Sequence, residues 1–157
     1  MTNNFESLLV RSLNAYFITS KTAGICERRP QQRYIKQNCD IIIDSPKVGH
    51  WGIECKSISS PHLYFSSNFH EDNDGKHQVE TLDNYFSQSG REGYLAVELR
   101  NRTGNRAYFI PWIVVMSRYV SGEKGFRKSE IKAYPEIKKF KKTKLYNVRP
   151  LFSSNGT

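Results

Sequence analysis

The chain has 157 residues, of which 38% are hydrophobic and 13% aromatic, and it carries a formal net charge of +9. This length is typical of one domain with its own core, and the composition excludes a disordered chain. No run approaches the ~18 apolar residues of a membrane span, and the first residues lack the basic start of a secretory signal. Cys26, Cys39 and Cys55 are odd in number and lie in strand-like stretches, which indicates buried free thiols in a cytoplasmic protein.

The first 58 residues predict one helix followed by strands. Residues 4–17 repeat apolar side chains at helical spacing. Apolar, strand-like stretches follow at 23–28, 39–44 and 51–58. The short connections between them favour a meander of three strands.

The middle of the chain predicts a second helix and two further strands. Residues 59–75 are polar and aromatic, and we expect a long loop there. Helical spacing returns at 76–88, and strands at 93–100 and 106–111 flank a turn-forming NRTGN stretch. A short helix is predicted at 112–120. This order indicates an α/β fold with a central mixed β-sheet flanked by helices.

The strand at 51–58 carries an acid and a base on one face. Side chains two residues apart point to the same face of a strand, so Glu54 and Lys56 lie side by side. If this strand pairs antiparallel with 39–44 through a turn of about six residues, Asp40 lies near Glu54. Two carboxylates suit Mg²⁺ or Mn²⁺, and a lysine beside them suits phosphodiester hydrolysis. The alternative is a half-exposed strand with a cross-strand charge pair.

Glu6 lies within the apolar arc of the first helix. At ~100° per residue it falls between Leu13 and Phe17, on the side that should pack against the sheet. A carboxylate in that position needs a partner or a metal site. A capping box with Asn3, at N-x-x-E spacing, is the other interpretation.

The positive charge is concentrated at the carboxyl-terminal end. Residues 118–157 hold eleven basic and three acidic residues, a balance of +8, whereas the first 117 residues balance at +1. Interleaved aromatic residues suit contacts with phosphates and bases, and a solvated tail is the alternative. We therefore expect a core at 1–120 and a basic extension at 121–157, packed on the core or trailing from it. The lysines of this extension that we expect to bind nucleic acid are Lys138, Lys139, Lys141 and Lys142.

The stretch CDIII, followed by GIECKS and preceded by a helical glutamate, resembles the core of the PD-(D/E)XK nuclease superfamily. IECKS at 53–57 resembles the Glu-x-Lys strand of Holliday junction resolvases of the RecU and archaeal types. SSNFHEDNDGKHQVETL at 66–82 resembles the RecU-type loop that leads into a helix opening with His-Gln, and GYLAVELR and AYFIP resemble the two strands after it. The likeness covers roughly residues 4–115 and implies a restriction-endonuclease-like core. Residues 29–38 leave no room for the RecU stalk insertion, as in the smaller archaeal enzymes.

The resemblance assigns roles to the residues of the strand pair. Asp40 and Glu54 would ligate Mg²⁺ or Mn²⁺ together with the backbone carbonyl of Cys55. Lys56 would be the catalytic lysine. Asp44 is a rival to Asp40 in sequence, but the gap from Asp40 to Glu54 fits the family better.

The resemblance also assigns roles outside that strand pair. Glu6 would complete the site from the first helix, and Gln78 would lie near it and position water or metal. Arg33 matches the place of a basic residue that contacts phosphate, although an ordinary loop arginine explains it equally well. Its basic neighbours Arg29 and Lys36 are expected to share that role.

The activity implied is divalent-metal-dependent hydrolysis of DNA, cutting four-way junctions symmetrically in recombination and repair. An enzyme that cuts two symmetric positions is expected to be a homodimer, with no small-molecule cofactor and no membrane partner. The alternatives are a restriction-like or repair endonuclease on duplex DNA, and a non-catalytic nucleic-acid-binding module of the same fold.

Overall fold

The computed structural model describes residues 4–29, 39–72 and 74–153. Its first half is a helix followed by an antiparallel meander, as the periodicity predicts. The elements are α1 (Asn4–Thr19), β1 (Ile25–Arg28), β2 (Ile41–Ser45) and β3 (Gly49–Ile58). β2 pairs antiparallel with β1 on one side and with β3 on the other.

The turn between β2 and β3 is shorter than the six residues expected. Ser45 pairs with Gly49, so the turn contains only residues 46–48. Ser45 Oγ accepts hydrogen bonds from the backbone N–H groups of Lys47 and Val48 at 3.2 and 3.0 Å. Gly49 has a φ of 111°, a conformation that side chains rarely adopt. A local acceptor and a glycine therefore close this hairpin tightly.

Part of the segment predicted as a loop at 59–75 is folded, so that prediction was wrong. The short elements involved are β4 (His62–Tyr64), α2 (Phe65–Asn68) and β7 (Gly125–Arg127). β4 and β7 form a two-stranded antiparallel sheet, and Phe65 and Phe69 are buried. Elements this short show no periodicity, and their burial depends on residues far along the chain.

The second half adds a crossover helix and the remaining strands. Its other elements are α3 (Gln78–Ser89), β5 (Glu92–Leu99), β6 (Arg106–Pro111), α4 (Trp112–Val120), α5 (Lys128–Ile131), β8 (Glu136–Ile137) and α6 (Pro150–Ser153). β5 runs parallel to β3 and antiparallel to β6. Among the described residues the main sheet has six strands in the order β1-β2-β3-β5-β6-β8. α1 packs on one face, and α3 and α4 on the other, which confirms the predicted fold class.

The basic carboxyl-terminal segment contributes to both sheets through β7 and β8. Ile137 pairs with Ala107, and Tyr146 and Val148 are buried against α1. The division of the chain at residue 120 stays a prediction. No helix in the described ranges is both long enough and apolar enough to cross a bilayer.

The strand register defines the end of the main sheet that matters for the site. Arg28 pairs with Ile41, which pairs with Ile53. Ile58 pairs with Leu99 where the two parallel strands finish. The upper end of the sheet is the end where β3 and β5 finish and where β2 and β6 begin. The opposite end is the lower end.

Candidate active site

Asp40 and Glu54 form a pair of carboxylates at the upper end of the sheet. Glu54 is 2% exposed, and its carboxyl group is in hydrogen-bond contact with that of Asp40. Asp40 Oδ2 accepts a hydrogen bond from the N–H of Cys55 at 2.8 Å, and the N–H of Asp40 donates to the carbonyl of Ile53 at 3.1 Å. The antiparallel hairpin thus brings the two acids together.

The environment of this pair disfavours two negative charges. Burial raises the pKa of Glu54 well above its ordinary value, and the charge of Asp40 and the hydrogen bond with it raise that pKa further. The charge of Lys56 opposes this rise. A proton or another cation between the two carboxylates is therefore favoured.

Gln78, the first residue of α3, links the acid and the base. Its Nε2 donates to Glu54 Oε2 at 2.9 Å. Its Oε1 faces Lys56 Nζ at 3.5 Å and the backbone N–H of His70 at 3.4 Å, two long hydrogen bonds. The backbone N–H of Gln78 donates to the carbonyl of His70 at 2.7 Å. These partners fix which end of the amide faces the carboxylate.

His77 starts the helix that carries Gln78. Its Nδ1 accepts a hydrogen bond from the N–H of Val79 at 3.1 Å, which caps the helix. Because Nδ1 is an acceptor, Nε2 carries the proton that it donates to the carbonyl of Phe65 at 2.8 Å. The helix start is therefore tied to α2.

Lys56 lies on the same face of β3 as Glu54, as alternation predicts. Its side chain is 15% exposed, and its Nζ is 3.9 Å from Glu54 Oε2. The ammonium also lies 4.7 Å from the centre of the Phe69 ring, a cation–π distance. Sequence analysis missed Phe69; the only signal was its place in an aromatic stretch just before the His-Gln helix start.

Glu6 lies at the buried side of α1, as the helical arc predicts, and within the described residues it forms an ion pair with Arg28 on β1. The Arg28 Nε to Glu6 Oε2 distance is 2.8 Å, and Arg28 Nη1 is 3.5 Å from Ser7 Oγ. The charge of Glu6 still contributes to raising the pKa of Glu54. Asn3, the alternative capping partner, lies outside the described residues.

The metal ligands expected from the resemblance are two carboxylates and one backbone carbonyl, and this set stays a prediction. Within the described ranges no three His, Cys, Asp or Glu side chains are close enough together to hold a metal ion. The carboxylates of Asp40 and Glu54 do meet, and the backbone of Cys55 is next to Asp40. The thiol of Cys55 points to the α1 face, and burial raises its pKa well above the ordinary value.

Asp44 lies at the other end of β2 and outside this constellation. Its Oδ1 is 2.8 Å from Arg91 Nη1 and 2.7 Å from His50 Nδ1. The hydrogen bond from Arg91 and then the one from His50 lower the pKa of Asp44. The preference for Asp40 over Asp44 agrees with this placement.

The residues expected to bind nucleic acid have different surroundings. Arg29 Nη1 donates to Tyr85 Oη at 3.2 Å, and its guanidinium lies 5.8 Å from that ring. Arg33 and Lys36 lie outside the described residues. Lys139 Nζ lies 5.4 Å from the ring of Tyr146. The remaining lysines of the set, all exposed, are Lys138, Lys141 and Lys142.

Sequence analysis also missed a buried carboxylate, Glu98 on β5. It faces α1 and is 6% exposed. Ser57 Oγ donates to Glu98 Oε1, and Tyr146 Oη donates to Glu98 Oε2, both at 2.8 Å. The backbone N–H of Tyr146 donates to Ser12 Oγ at 2.9 Å. This network fastens the basic segment to α1 and to the strands of the site.

No protein-family model matches the sequence, and no curated protein matches it. Among solved structures, the chain is similar to Hjc, a Holliday junction resolvase from the archaeal hyperthermophile Archaeoglobus fulgidus, with a TM-score of 0.54 and 20% identity. The similarity covers 84% of this chain and 91% of that chain. At this identity the likeness concerns the fold, and the chain therefore has a fold like that of this archaeal resolvase.

Proposed function

We propose that this chain is a divalent-metal-dependent DNA endonuclease that cuts four-way junctions. One observation carries the proposal: the contact of Asp40 with the buried carboxyl group of Glu54, which Gln78 joins to the ammonium of Lys56. The similarity of its fold to that of Hjc, a Holliday junction resolvase, supports the choice of substrate.

The donor set fits a hard divalent cation. Two contacting carboxylates at a desolvated position repel unless a positive charge joins them, and oxygen ligands suit Mg²⁺ or Mn²⁺. Asp40, Glu54 and the backbone carbonyl of Cys55 would hold the ion. When bound, it supplies Lewis acidity toward a phosphodiester and favours a water nucleophile near neutral pH.

Lys56 and Gln78 would position the reacting groups. In the hydrolysis, the oxygen of water bonds to phosphorus and one P–O ester bond breaks. One proton of the water passes to solvent, and the leaving oxygen takes up a proton from solvent to become a hydroxyl group. Lys56 donates to a phosphate oxygen or to the attacking water, where a poorly hydrated ammonium stabilises developing negative charge. Gln78 holds the Glu54 carboxylate and the ammonium at a fixed separation.

Symmetric cutting of a four-way junction requires two active sites related by a two-fold axis. A homodimer supplies these two active sites, because the same surface patch on each protomer forms a two-fold symmetric interface. We therefore propose that the active species is a dimer of this chain.

Cleavage of a synthetic four-way junction and of a matched duplex, each with Mg²⁺ and with a chelator, tests the function. We expect paired nicks in opposite strands of the junction, abolished by the chelator. Asp40→Asn should lower the rate by about 100-fold or more while DNA binding persists. Asp44→Asn, at the end of β2 that is farther from Asp40, is the matched control and should cut normally.

The other outcomes identify the alternatives. Equal cutting of duplex and junction would indicate a restriction-like or repair endonuclease. Junction binding without cleavage in either Mg²⁺ or Mn²⁺ would indicate a non-catalytic module. Full cleavage by Asp40→Asn would remove Asp40 from the site.

A further inference from the structure

A cavity of about 220 Å³ opens beside the hairpin that joins β5 to β6, away from the carboxylate pair. Its lining contains three cationic side chains and, among the described residues, no acidic one. The polar side chains that line it are Asn101, Thr103, Arg106, Tyr108, Lys128 and Lys132.

The local backbone brings these groups together. In the hairpin loop, the N–H of Gly104 donates to the carbonyl of Asn101 at 3.2 Å, and Gly104 has a φ of 132°, which suits only glycine. On the other wall, the N–H of Lys128 donates to the carbonyl of Pro61 at 2.8 Å, and the N–H of Lys132 donates to the carbonyl of Lys128 at 3.2 Å. One helical turn therefore places both lysines on the same side.

The charges at the cavity favour an anion. Neither Lys128 nor Lys132 forms an ion pair within the described part of the chain, and like charges one turn apart repel each other. Arg106 Nη1 lies 3.3 Å from Glu136 Oε1, a charge contact without hydrogen-bond geometry. Burial, and then the negative charge of Glu136, raises the pKa of Tyr108, so its hydroxyl stays neutral.

The cavity lies on the same face of the sheet as the acid–base pair. Lys56 pairs with Val97, and Val97 pairs with Tyr108. The backbone positions of Lys56 and Tyr108 are therefore two strand spacings apart, which is roughly 10 Å. B-DNA carries one phosphate per strand for about 3.4 Å of axis, so this separation spans a few nucleotides.

We propose that this cavity binds a backbone phosphate of the nucleic-acid strand, a few nucleotides from the phosphodiester that is cut. The proposal rests on the proposed function, because it assumes that the nucleic acid reaches Lys56. It adds a specific phosphate contact that is made by the β5–β6 hairpin and α5. The contact orients the strand and takes no part in the chemistry.

The test compares the double variant Lys128→Gln/Lys132→Gln with the control Lys21→Gln/Lys47→Gln. The control removes the same charge at exposed positions near the lower end of the sheet. The dissociation constant for the junction is measured in chelator over a range of salt, after thermal melting shows that each variant folds. If the cavity variant no longer neutralises one DNA phosphate, the magnitude of the slope of log K against log salt should fall by about 0.9.

The outcomes separate this proposal from the proposed function. Wild-type junction binding with the same slope in both double variants overturns the cavity assignment and leaves the nuclease proposal intact. Absence of DNA binding by the wild type overturns both. An NMR titration with inorganic phosphate provides an independent readout, because the amides of Gly104 and Lys128 should shift in the wild type. If they shift but the slope does not change, the cavity accepts small phosphates and the nucleic-acid assignment is wrong. Should the double variant fail to fold, Lys132→Gln alone, at an exposed position, replaces it.

Discussion

Gln78 lies between Glu54 and Lys56, donating to the carboxylate at 2.9 Å and facing the ammonium with its carbonyl oxygen at 3.5 Å. An amide can make both contacts because it carries a donor and an acceptor on one planar group. The backbone N–H of His70 also faces the acceptor end. A side chain without the donor would lose the contact with the carboxylate, and one without the acceptor would lose the contact with the ammonium.

Replacing Gln78 with Met should therefore reduce cleavage without unfolding the protein. Loss of a hydrogen bond to a buried carboxylate costs about 1–3 kcal/mol, which corresponds to roughly 5- to 150-fold in rate. Gln88→Met, on the exposed side of the same helix, is the control. Single-turnover cleavage of the junction measures both, and equal rates for the two variants would show that Gln78 is only a helix-start residue.

Glu54 should make the stability of the metal-free protein fall as pH rises. The pKa of Glu54 in the folded state is raised well above its ordinary value of 4.5, mainly by burial. Its neutral form therefore stabilises the fold below that ordinary value, and this contribution is lost as pH rises through the folded-state pKa. Urea unfolding in chelator, repeated from acid to neutral pH, measures the loss.

Glu54→Gln should flatten this pH dependence, because the amide does not titrate. The variant should also be more stable than the wild type at neutral pH. Added Mg²⁺ should stabilise the wild type at neutral pH and leave Glu54→Gln nearly unchanged. The same pH slope in both proteins would mean that Glu54 is charged in the folded state and that another cation neutralises it.

Phe69 should stabilise the ammonium of Lys56 in addition to packing in the core. Phe69→Leu and Phe65→Leu remove comparable rings, since both residues are buried and their ring centres are 5.9 Å apart. Only Phe69 has its ring at the ammonium of Lys56, 4.7 Å away. A cation–π contact contributes about 0.5–2 kcal/mol, so Phe69→Leu should slow cleavage by roughly 2- to 30-fold.

Thermal melting gives the internal control for this pair. Both leucine variants should melt earlier by similar amounts, because both leave cavities in the same cluster. Only Phe69→Leu should then lower the rate at a temperature where both are folded. A rate for Phe69→Leu that matches that of Phe65→Leu would leave the ring with a packing role alone.

Periodicity was sufficient to predict the longer strands of the main sheet and the neighbouring positions of Glu54 and Lys56. The alternation of side chains along β3 places Glu54 and Lys56 on one face of the strand, independently of the other elements. The hairpin then determines where Asp40 lies. The contacts of Glu6 were not predictable in this way. Its helical arc requires a partner, but nothing in the spacing selects Arg28, which is 22 positions away on β1.

The same limit explains why Glu98 was missed. Within β5 it interrupts an apolar run. A glutamate can be buried there only if other parts of the chain supply hydrogen-bond partners for its carboxyl group. One partner, Ser57, comes from the neighbouring strand, and the other, Tyr146, from 48 positions along the chain. Tertiary contacts of this kind leave no local periodicity to read.

The exposed lysines of the set expected to bind nucleic acid should contribute to binding through charge alone. Lys139 lies over Tyr146, whose hydroxyl donates to Glu98, so its replacement also disturbs the buried network. The informative variant is therefore the triple replacement of the exposed members by Gln, leaving Lys139 in place. Those members are Lys138, Lys141 and Lys142.

The triple variant should bind duplex and junction more weakly by the same factor. The slope of log K against log salt should fall by about 0.9 for each phosphate that the variant no longer neutralises, so the slope shows how many of the lysines bind. Arg11→Gln/Lys21→Gln/Lys47→Gln removes the same charge from exposed positions outside this segment and should change the slope less. Because charge acts on every DNA shape, the ratio of junction to duplex affinity should stay constant. If that ratio falls instead, the segment recognises the junction itself, and its position beside β6 at the edge of the sheet contributes to DNA specificity.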